Sequence, residues 1–204
     1  MKQNKLLGIY GGTFSPPHLG HVRAAAAFSR AIEPDRLLII PSAIPPHKAP
    51  VRGASDADRM ELCRLAFSTI HGAEISDIEL RREGRSYTVD TLRALSSEGQ
   101  TIVMLIGTDM FLTLDTWYCA AEIFKLTEIA VIRREEDPGQ ALAIAKKKEE
   151  YVDLFGARIH EIACEATVVS SSEVRQRLRD GASTEEYLTA EVEDYIQKWH
   201  LYRD

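Results

Sequence analysis

Two histidines three residues apart, His18 and His21, close a segment that opens on paired glycines: Gly11-Gly12-Thr13-Phe14-Ser15-Pro16-Pro17-His18-Leu19-Gly20-His21. Glycines behind a buried apolar run let the backbone turn sharply and bring its N–H groups against a ligand. The two prolines stiffen the turn and hand over to a helix start, where unpaired N–H groups and the macrodipole attract phosphate. At this spacing both imidazoles face one side of the first helical turn. There they can donate hydrogen bonds to phosphate oxygens and, when protonated, offset developing negative charge. Taken singly, either histidine also reads as an ordinary helix-start residue. Zinc suits the pair poorly, because the spacing is not HExxH and no carboxylate or cysteine lies close in sequence.

A second stretch, Val169-Ser170-Ser171-Ser172-Glu173-Val174-Arg175, follows a short apolar run and opens another helix. Serine hydroxyls satisfy free N–H groups at such a start, and the Ser-x-x-Glu spacing suits a capping box. Arg175 then stands one turn in, where its forked donors can grip a polyphosphate. A plain capped helix accounts for the same residues when they are taken alone. Between the two stretches lies Pro45-Pro46-His47-Lys48, whose Lys48 puts a point charge on a proline-stiffened loop. Trp117 offers a flat ring on which a cationic or aromatic group could stack, worth about 0.5–2 kcal/mol, although a tryptophan serves equally well as core. Asp109 directly follows an apolar run, either as a helix cap or as a polar group at the mouth of a sheet.

The elements that must carry these residues read from apolar periodicity and length. Lys5 to Tyr10, Arg36 to Pro41, Thr101 to Ile106 and Glu128 to Arg133 are continuous apolar runs of strand length, Ala73 to Leu80 alternates like a strand, and Arg158 to Ile162 is a weaker strand. Helices are predicted over Leu19 to Ile32, over about Asp56 to Ile70 with Ser55 as N-cap, and over Thr88 to Ser97. Pro138 to Tyr151, with Lys146-Lys147-Lys148-Glu149-Glu150, reads as a solvated helix face with no assigned chemistry, and Ala190 to His200 as an amphipathic helix. Buried strands alternating with helices predict an α/β fold, a doubly wound parallel sheet covered on both faces. Ligands then sit beyond the carboxyl ends of the strands, where every stretch above falls. The 204 residues suit a single domain with a helical portion from about residue 172.

The totals narrow the function classes. A net charge of -6 argues against a general nucleic-acid binder, so positive groups for an anionic substrate must be gathered locally. Cys63, Cys119 and Cys164 are scattered, with no CxxC pair, which points to a reducing compartment rather than a disulfide framework. No stretch reaches the roughly 18 apolar residues of a membrane span, and the first residues do not read as a signal peptide. A cytoplasmic protein is expected.

The first stretch resembles the GGTFDPPHxGH signature of the nucleotidylyltransferase superfamily, with its HxGH element, and the second is similar to that superfamily's ISSTxIR signature, with Ser172 for Thr. The middle of the chain narrows the resemblance to the bacterial nicotinate-nucleotide adenylyltransferases. Pro45 to Lys48 resembles their PPHK, Arg82 to Leu92 their REGxSYTxDTL, Ile106 to Met110 their IGxDx, and Leu114 to Tyr118 their LxxWY; Leu201-Tyr202-Arg203 is similar to their terminus. The likeness spans nearly the whole chain. It implies a Rossmann-like fold and in-line transfer of AMP from ATP to nicotinate mononucleotide in NAD biosynthesis, with Mg2+ carried on the ATP phosphates. A sibling using nicotinamide mononucleotide and a nucleotide sensor without turnover are the alternatives.

By that resemblance His18, His21, Lys48 and Arg175 act on the phosphates. Gly11, Gly12, Thr13, Phe14, Gly107, Asp109, Ser170, Ser171 and Ser172 hold ATP, with Asp109 on ribose hydroxyls. His47, Tyr87, Thr88, Trp117, Tyr118 and Arg134 hold the nicotinate nucleotide, its carboxylate met by backbone groups of Ser86-Tyr87-Thr88 together with Tyr118. The sequence departs twice from the family pattern. Ser15 stands where the family has Asp, which removes any metal or loop contact of that carboxylate. Arg133-Arg134-Glu135 lacks the proline of the family's RRP or KRP.

Overall fold

Strands apolar on both sides can be buried only if helices cover the sheet twice, and the chain solves this with six parallel strands among the described residues. The computed structural model describes residues 5–43, 53–134, 138–164 and 169–203, so His47 and Lys48 lie outside them, as does the side chain of Arg134. The order along the chain is β1 (Lys5–Gly12), α1 (Leu19–Ile32), β2 (Arg36–Pro41), α2 (Asp56–Ala66), β3 (Ala73–Ile75) and α3 (Thr88–Leu95). Then come β4 (Gln100–Gly107), α4 (Thr108–Phe111), a 3-10 turn (Leu114–Thr116), α5 (Ala120–Leu126), β5 (Glu128–Arg134) and α6 (Pro138–Phe155). The last elements are β6 (Ile159–Cys164), α7 (Ser171–Arg179) and α8 (Ala190–Lys198). The sheet runs β3-β2-β1-β4-β5-β6, so the direction of winding reverses between β1 and β4. That is the switch point at which doubly wound sheets open a crevice beyond their carboxyl ends.

The period-two alternation of each strand sorts its side chains into two apolar layers. Leu37 and Ile39 of β2 and Val103 and Leu105 of β4 pack with Phe28 of α1, Leu62 of α2 and Val192 of α8. Leu38, Ile40, Ile102, Met104 and Ile106 take the other face, against Leu92 of α3, Ile123 of α5 and Ile144 of α6. Gly8 lets α1 approach β1. A Cβ there would lie 2.6 Å from Phe28 Cε1 and 3.2 Å from Leu37 Cδ1, and both neighbours are buried. Gly8→Ala is therefore expected to lower folding stability by about 1–3 kcal/mol, the usual cost of overpacking. A urea midpoint equal to or above that of the parent would show that Phe28 can yield.

Four predicted elements end early: the helix from Ala190 at Lys198 rather than His200, and three others where side chains offer the backbone another partner. The helix from Asp56 stops at Ala66, where the Ser68 hydroxyl donates to the Leu65 carbonyl at 2.9 Å and the chain leaves in i→i+3 turns. The strand from Ala73 stops at Ile75: the Ile78 N–H donates to Ser76 Oγ at 3.4 Å, and the Asp77 carboxylate takes Arg81 at 2.7 Å. The helix from Thr88 stops at Leu95, and the Ser96 hydroxyl donates to the Leu92 carbonyl at 2.7 Å. No helix among the described residues is long and apolar enough to cross a membrane.

Candidate active site

The first stretch begins inside the sheet. β1 extends to Gly12 because Gly11 and Gly12 pair with Ile40 and Pro41 of β2. Gly11, and Gly107 at the end of neighbouring β4, have nothing within 4 Å of where a Cβ would sit, so bare backbone faces open space at both mouths of the switch point. Gly12 is needed for another reason: its Cβ would meet the Phe14 ring at 2.9 Å. Phe14 itself is turned inward at φ 45 and is 1% exposed, packed edge-on to Tyr10, His21 and Phe67. Any contact of Phe14 with a ligand therefore runs through its backbone, not through the ring.

His18 is the N-cap residue of α1, and His21 lies in that helix's first turn. Their rings stack at 3.7 Å between centroids, inclined by 29°. The His18 N–H donates to His21 Nδ1 at 3.1 Å, which puts the proton of a neutral His21 on Nε2 and makes that nitrogen the donor. His18 Nδ1 is buried and has no hydrogen-bond partner among the described residues. The glycine between the histidines makes room for this ring, since a Cβ at Gly20 would stand 3.1 Å from His18 Cε1 and Nδ1. The backbone N–H of His21 faces this ring in the manner of a capping box, so the ring is fixed from the helix side.

Burial also sets the charge of His18. Desolvation pushes its pKa from 6.5 down to about 4, so the ring is neutral at pH 7 rather than an imidazolium. Because the folded pKa lies below the unfolded one, the unfolded chain binds more protons between these values. Stability is thus fully present above pH 6.5 and declines as pH falls toward 4, by about 3 kcal/mol for this group. His18→Asn is expected to flatten that acid limb in urea unfolding. An identical pH slope in parent and variant would mean that His18 protonates freely in the folded state.

The second stretch docks on the first. Ser170 caps α7 by accepting the Glu173 N–H at 3.1 Å, while the Glu173 carboxylate lies 3.6 Å from Arg177. Ser171 Oγ donates to the Pro16 carbonyl at 2.9 Å. Arg175 donates through Nη1 to the Ser15 carbonyl at 2.7 Å and through Nη2 to Ser172 Oγ at 3.0 Å. Partial burial pulls its pKa down, but a guanidinium stays charged. Two stretches at opposite ends of the sequence thus form one wall, with histidines and an arginine on it.

A third group gathers at the ends of β2 and β4. Ser86 Oγ accepts the Ala43 N–H at 3.0 Å. Beneath it, Thr91 Oγ1 donates to buried Glu79 at 2.7 Å and accepts from Arg82 Nη2 at 2.6 Å. Desolvation pushes the Glu79 carboxyl up, against the lowering pull of Thr91, Ser86 and Arg82. Above this base the Tyr87 and Tyr118 rings meet at 4.8 Å, with Tyr118 58% exposed. Thr88 opens α3 beside them. Trp117 is half-buried against the second apolar layer, so core and platform are both true of it. Asp109 is exposed in the first turn of α4, next to Gly107, and caps nothing there.

Some structural members of the site escaped the sequence reading. Arg59, 5% exposed on α2, donates through Nη1 to the carbonyls of Thr13 (3.0 Å) and Ser42 (2.7 Å), and through Nη2 to Asp56 (2.6 Å). A signal was present: Arg59 shares the buried helix face of Leu62, Cys63 and Ala66, an odd place for a charge without a partner. In α6, expected to be only a solvated face, Tyr151 is fully buried and its hydroxyl donates to the Phe111 carbonyl at 2.8 Å. Lys147 binds Asp115 at 3.0 Å, so α6 fixes the stretch between Asp109 and Trp117 from behind.

Known proteins of one kind resemble this chain in sequence and fold. Residues 9–177 match the cytidylyltransferase-like family. A Gloeobacter violaceus protein named "Probable nicotinate-nucleotide adenylyltransferase" is 38% identical over 202 residues, covering 96% of this chain and 95% of its own. One of the same name from Desulfatibacillum aliphaticivorans is 33% identical over 215 residues, covering 96% and 99%. The structure of Plasmodium falciparum nicotinic acid mononucleotide adenylyltransferase complexed with NaAD shares the fold, with a TM-score of 0.79 over 97% of each chain at 19% identity.

Proposed function

The chain belongs to the cytidylyltransferase-like family and, within it, to the nicotinate-nucleotide adenylyltransferases, and on that premise we propose that it transfers AMP from ATP to nicotinate mononucleotide. The 5′-phosphate oxygen of the nucleotide attacks the α-phosphorus in line, the bond from that phosphorus to the bridging oxygen breaks, and pyrophosphate leaves. The attacking phosphate is already ionised, so no strong base and no covalent intermediate are needed. Positioning and charge stabilisation carry the rate, and positioning alone can contribute about 7–11 kcal/mol in favourable cases.

The observation that carries this reading is the buried, neutral His18 stacked on His21 at a helix start, with Arg175 held on the same loop at Ser15. In the proposed mechanism His18 and His21 donate hydrogen bonds to phosphate oxygens. Arg175 and Lys48 supply the positive charge that a neutral His18 does not. Open backbone at Gly11 and Gly107 lets the nucleotide approach closely, and Asp109 beside it suits ribose hydroxyls. Ser170 to Ser172 line the phosphate wall. Tyr87, Thr88, Trp117 and Tyr118, with His47 and Arg134, take the nicotinate nucleotide.

Among the described residues no three His, Cys, Asp or Glu side chains gather as a metal site. Donors around the crevice are serine hydroxyls, carbonyls and the Asp109 carboxylate, hard oxygens that suit Mg2+ arriving on ATP. Such an ion, if bound, would supply charge neutralisation at the phosphates, with Asp109 and the serine hydroxyls as the residues placed to hold its hydrated shell.

The test is pyrophosphate release from ATP and Mg2+ with nicotinate mononucleotide, nicotinamide mononucleotide, phosphopantetheine or no acceptor. Release with the nicotinate compound alone is expected. Release only with another acceptor would overturn the substrate, and ATP binding without release would favour a nucleotide sensor.

A further inference from the structure

Tyr202 is a buried residue with no role in the transfer as described above. It follows α8 and is 2% exposed, with φ 60, a left-handed conformation that a bulky side chain adopts only when its surroundings hold it there. His200 at φ 52 turns the chain back, and the Leu201 N–H closes on the Ile196 carbonyl at 3.0 Å. The Tyr202 N–H donates to the Gly53 carbonyl at 3.0 Å. A Cβ at Gly53 would meet Tyr202 Cα at 3.0 Å, so the two backbones lie as close as a glycine allows. At the ring's far end, Ser15 Oγ donates to the Tyr202 hydroxyl at 3.1 Å in a buried contact. Ser15 is the residue whose carbonyl Arg175 holds.

The same pattern recurs on the adjoining helix. α8 is tied to α2 by the Tyr195 hydroxyl on Asp58 at 3.2 Å, and α2 carries Arg59. Arg59 holds the carbonyls of Thr13 and Ser42, while Tyr202 holds Ser15 and the carbonyl of Gly53. Ser42 and Gly53 flank the segment that carries His47 and Lys48. Two side chains from the α2–α8 unit therefore grip the first loop at Thr13 and Ser15; the Arg59 side chain also holds Ser42, and the Tyr202 backbone N–H holds Gly53.

We propose that Tyr202 is a positioning residue for the transfer: through its hydroxyl on Ser15 it sets the histidine loop in register with Arg175, while its backbone N–H anchors it to Gly53. This rests on the adenylyl-transfer reading. Ser15 has a defined part in it, for its hydroxyl makes the buried hydrogen bond to this tyrosine.

The test compares the parent with Tyr202→Phe, Ser15→Ala and the double variant, each assayed for pyrophosphate release and unfolded in urea. Tyr202→Phe keeps the ring and loses only the hydroxyl. It is expected to lower kcat about tenfold, the scale on which small misplacements of reacting groups act, with the KM for ATP within about twofold. Ser15→Ala should lower kcat similarly, and the double variant should be no worse than either single change. A Tyr202→Phe protein with a lower unfolding midpoint but parent-like kcat would reduce Tyr202 to packing and overturn the proposal. Should Tyr202→Phe not fold, a Ser15→Ala protein with parent-like kcat overturns it equally. An inactive parent overturns the transferase reading and this one together, whereas an active parent with unaltered variants overturns this one alone.

Discussion

Replacing His18 by alanine is expected to lower kcat by about a hundredfold or more, the usual loss when one preorganised hydrogen-bond donor is removed from a transition state. The fold buries the His18 ring and keeps it neutral by desolvation. A ring already desolvated can meet a phosphate oxygen, on the proposed mechanism, without first shedding water. Alanine therefore removes a group whose value lies in the transition state, and the stability change at pH 7 should be modest. His21→Ala should act similarly and additionally leave the His18 N–H without its acceptor. The measurement is kcat at saturating ATP and nicotinate mononucleotide, with urea unfolding at pH 7 as the check on folding. Either variant turning over at nearly the parent rate would remove that histidine from the mechanism.

Arg175 carries the second large effect. Its guanidinium spans the Ser15 carbonyl and Ser172 Oγ, so it both presents charge to the crevice and joins α7 to the histidine loop. Arg175→Ala is expected to cut kcat/KM for ATP by about tenfold to a hundredfold, or about 1.4–2.7 kcal/mol of transition-state stabilisation. Arg175→Lys should recover little of it. A lysine restores the charge but is a point donor that cannot bridge both partners in one plane. Parent-like kcat/KM in the lysine variant would mean that charge alone matters and that the bridge does not.

How far the sequence could be read depended on how local each cause was. α1 and β2 have the predicted limits because each is set by its own residues: Ala-rich periodicity in one, an uninterrupted apolar run in the other. Ser55 and Ser170 cap helices as their spacing suggests. The two glycine-and-histidine and serine-and-arginine stretches come together as chemistry of one kind, although nothing local to either says that Ser171 will reach Pro16. What stayed hidden depends on distant partners. The role of Arg59 depends on the carbonyls of Thr13 and Ser42, which the fold brings around it from other elements. Tyr151 sat in a lysine-rich helix whose charges masked a fully buried ring. The family resemblance places Phe14 among the ATP contacts, yet its φ of 45 and burial turn the ring into the core.

The join between α7 and the loop before α1 also bears on biosynthesis. Its hydrogen bonds link residues 155 and 160 positions apart in sequence, and contacts of such separation close late in folding. A chain emerging from the ribosome can form β1, α1 and β2 early, since they are sequential neighbours in the sheet. Until α7 has cleared the exit, however, the histidine loop lacks the wall it leans on. Nascent or prematurely terminated chains would thus hold much of the scaffold and no complete phosphate wall, so on the proposed reading turnover waits until α7 and the chain through Tyr202 have left the ribosome.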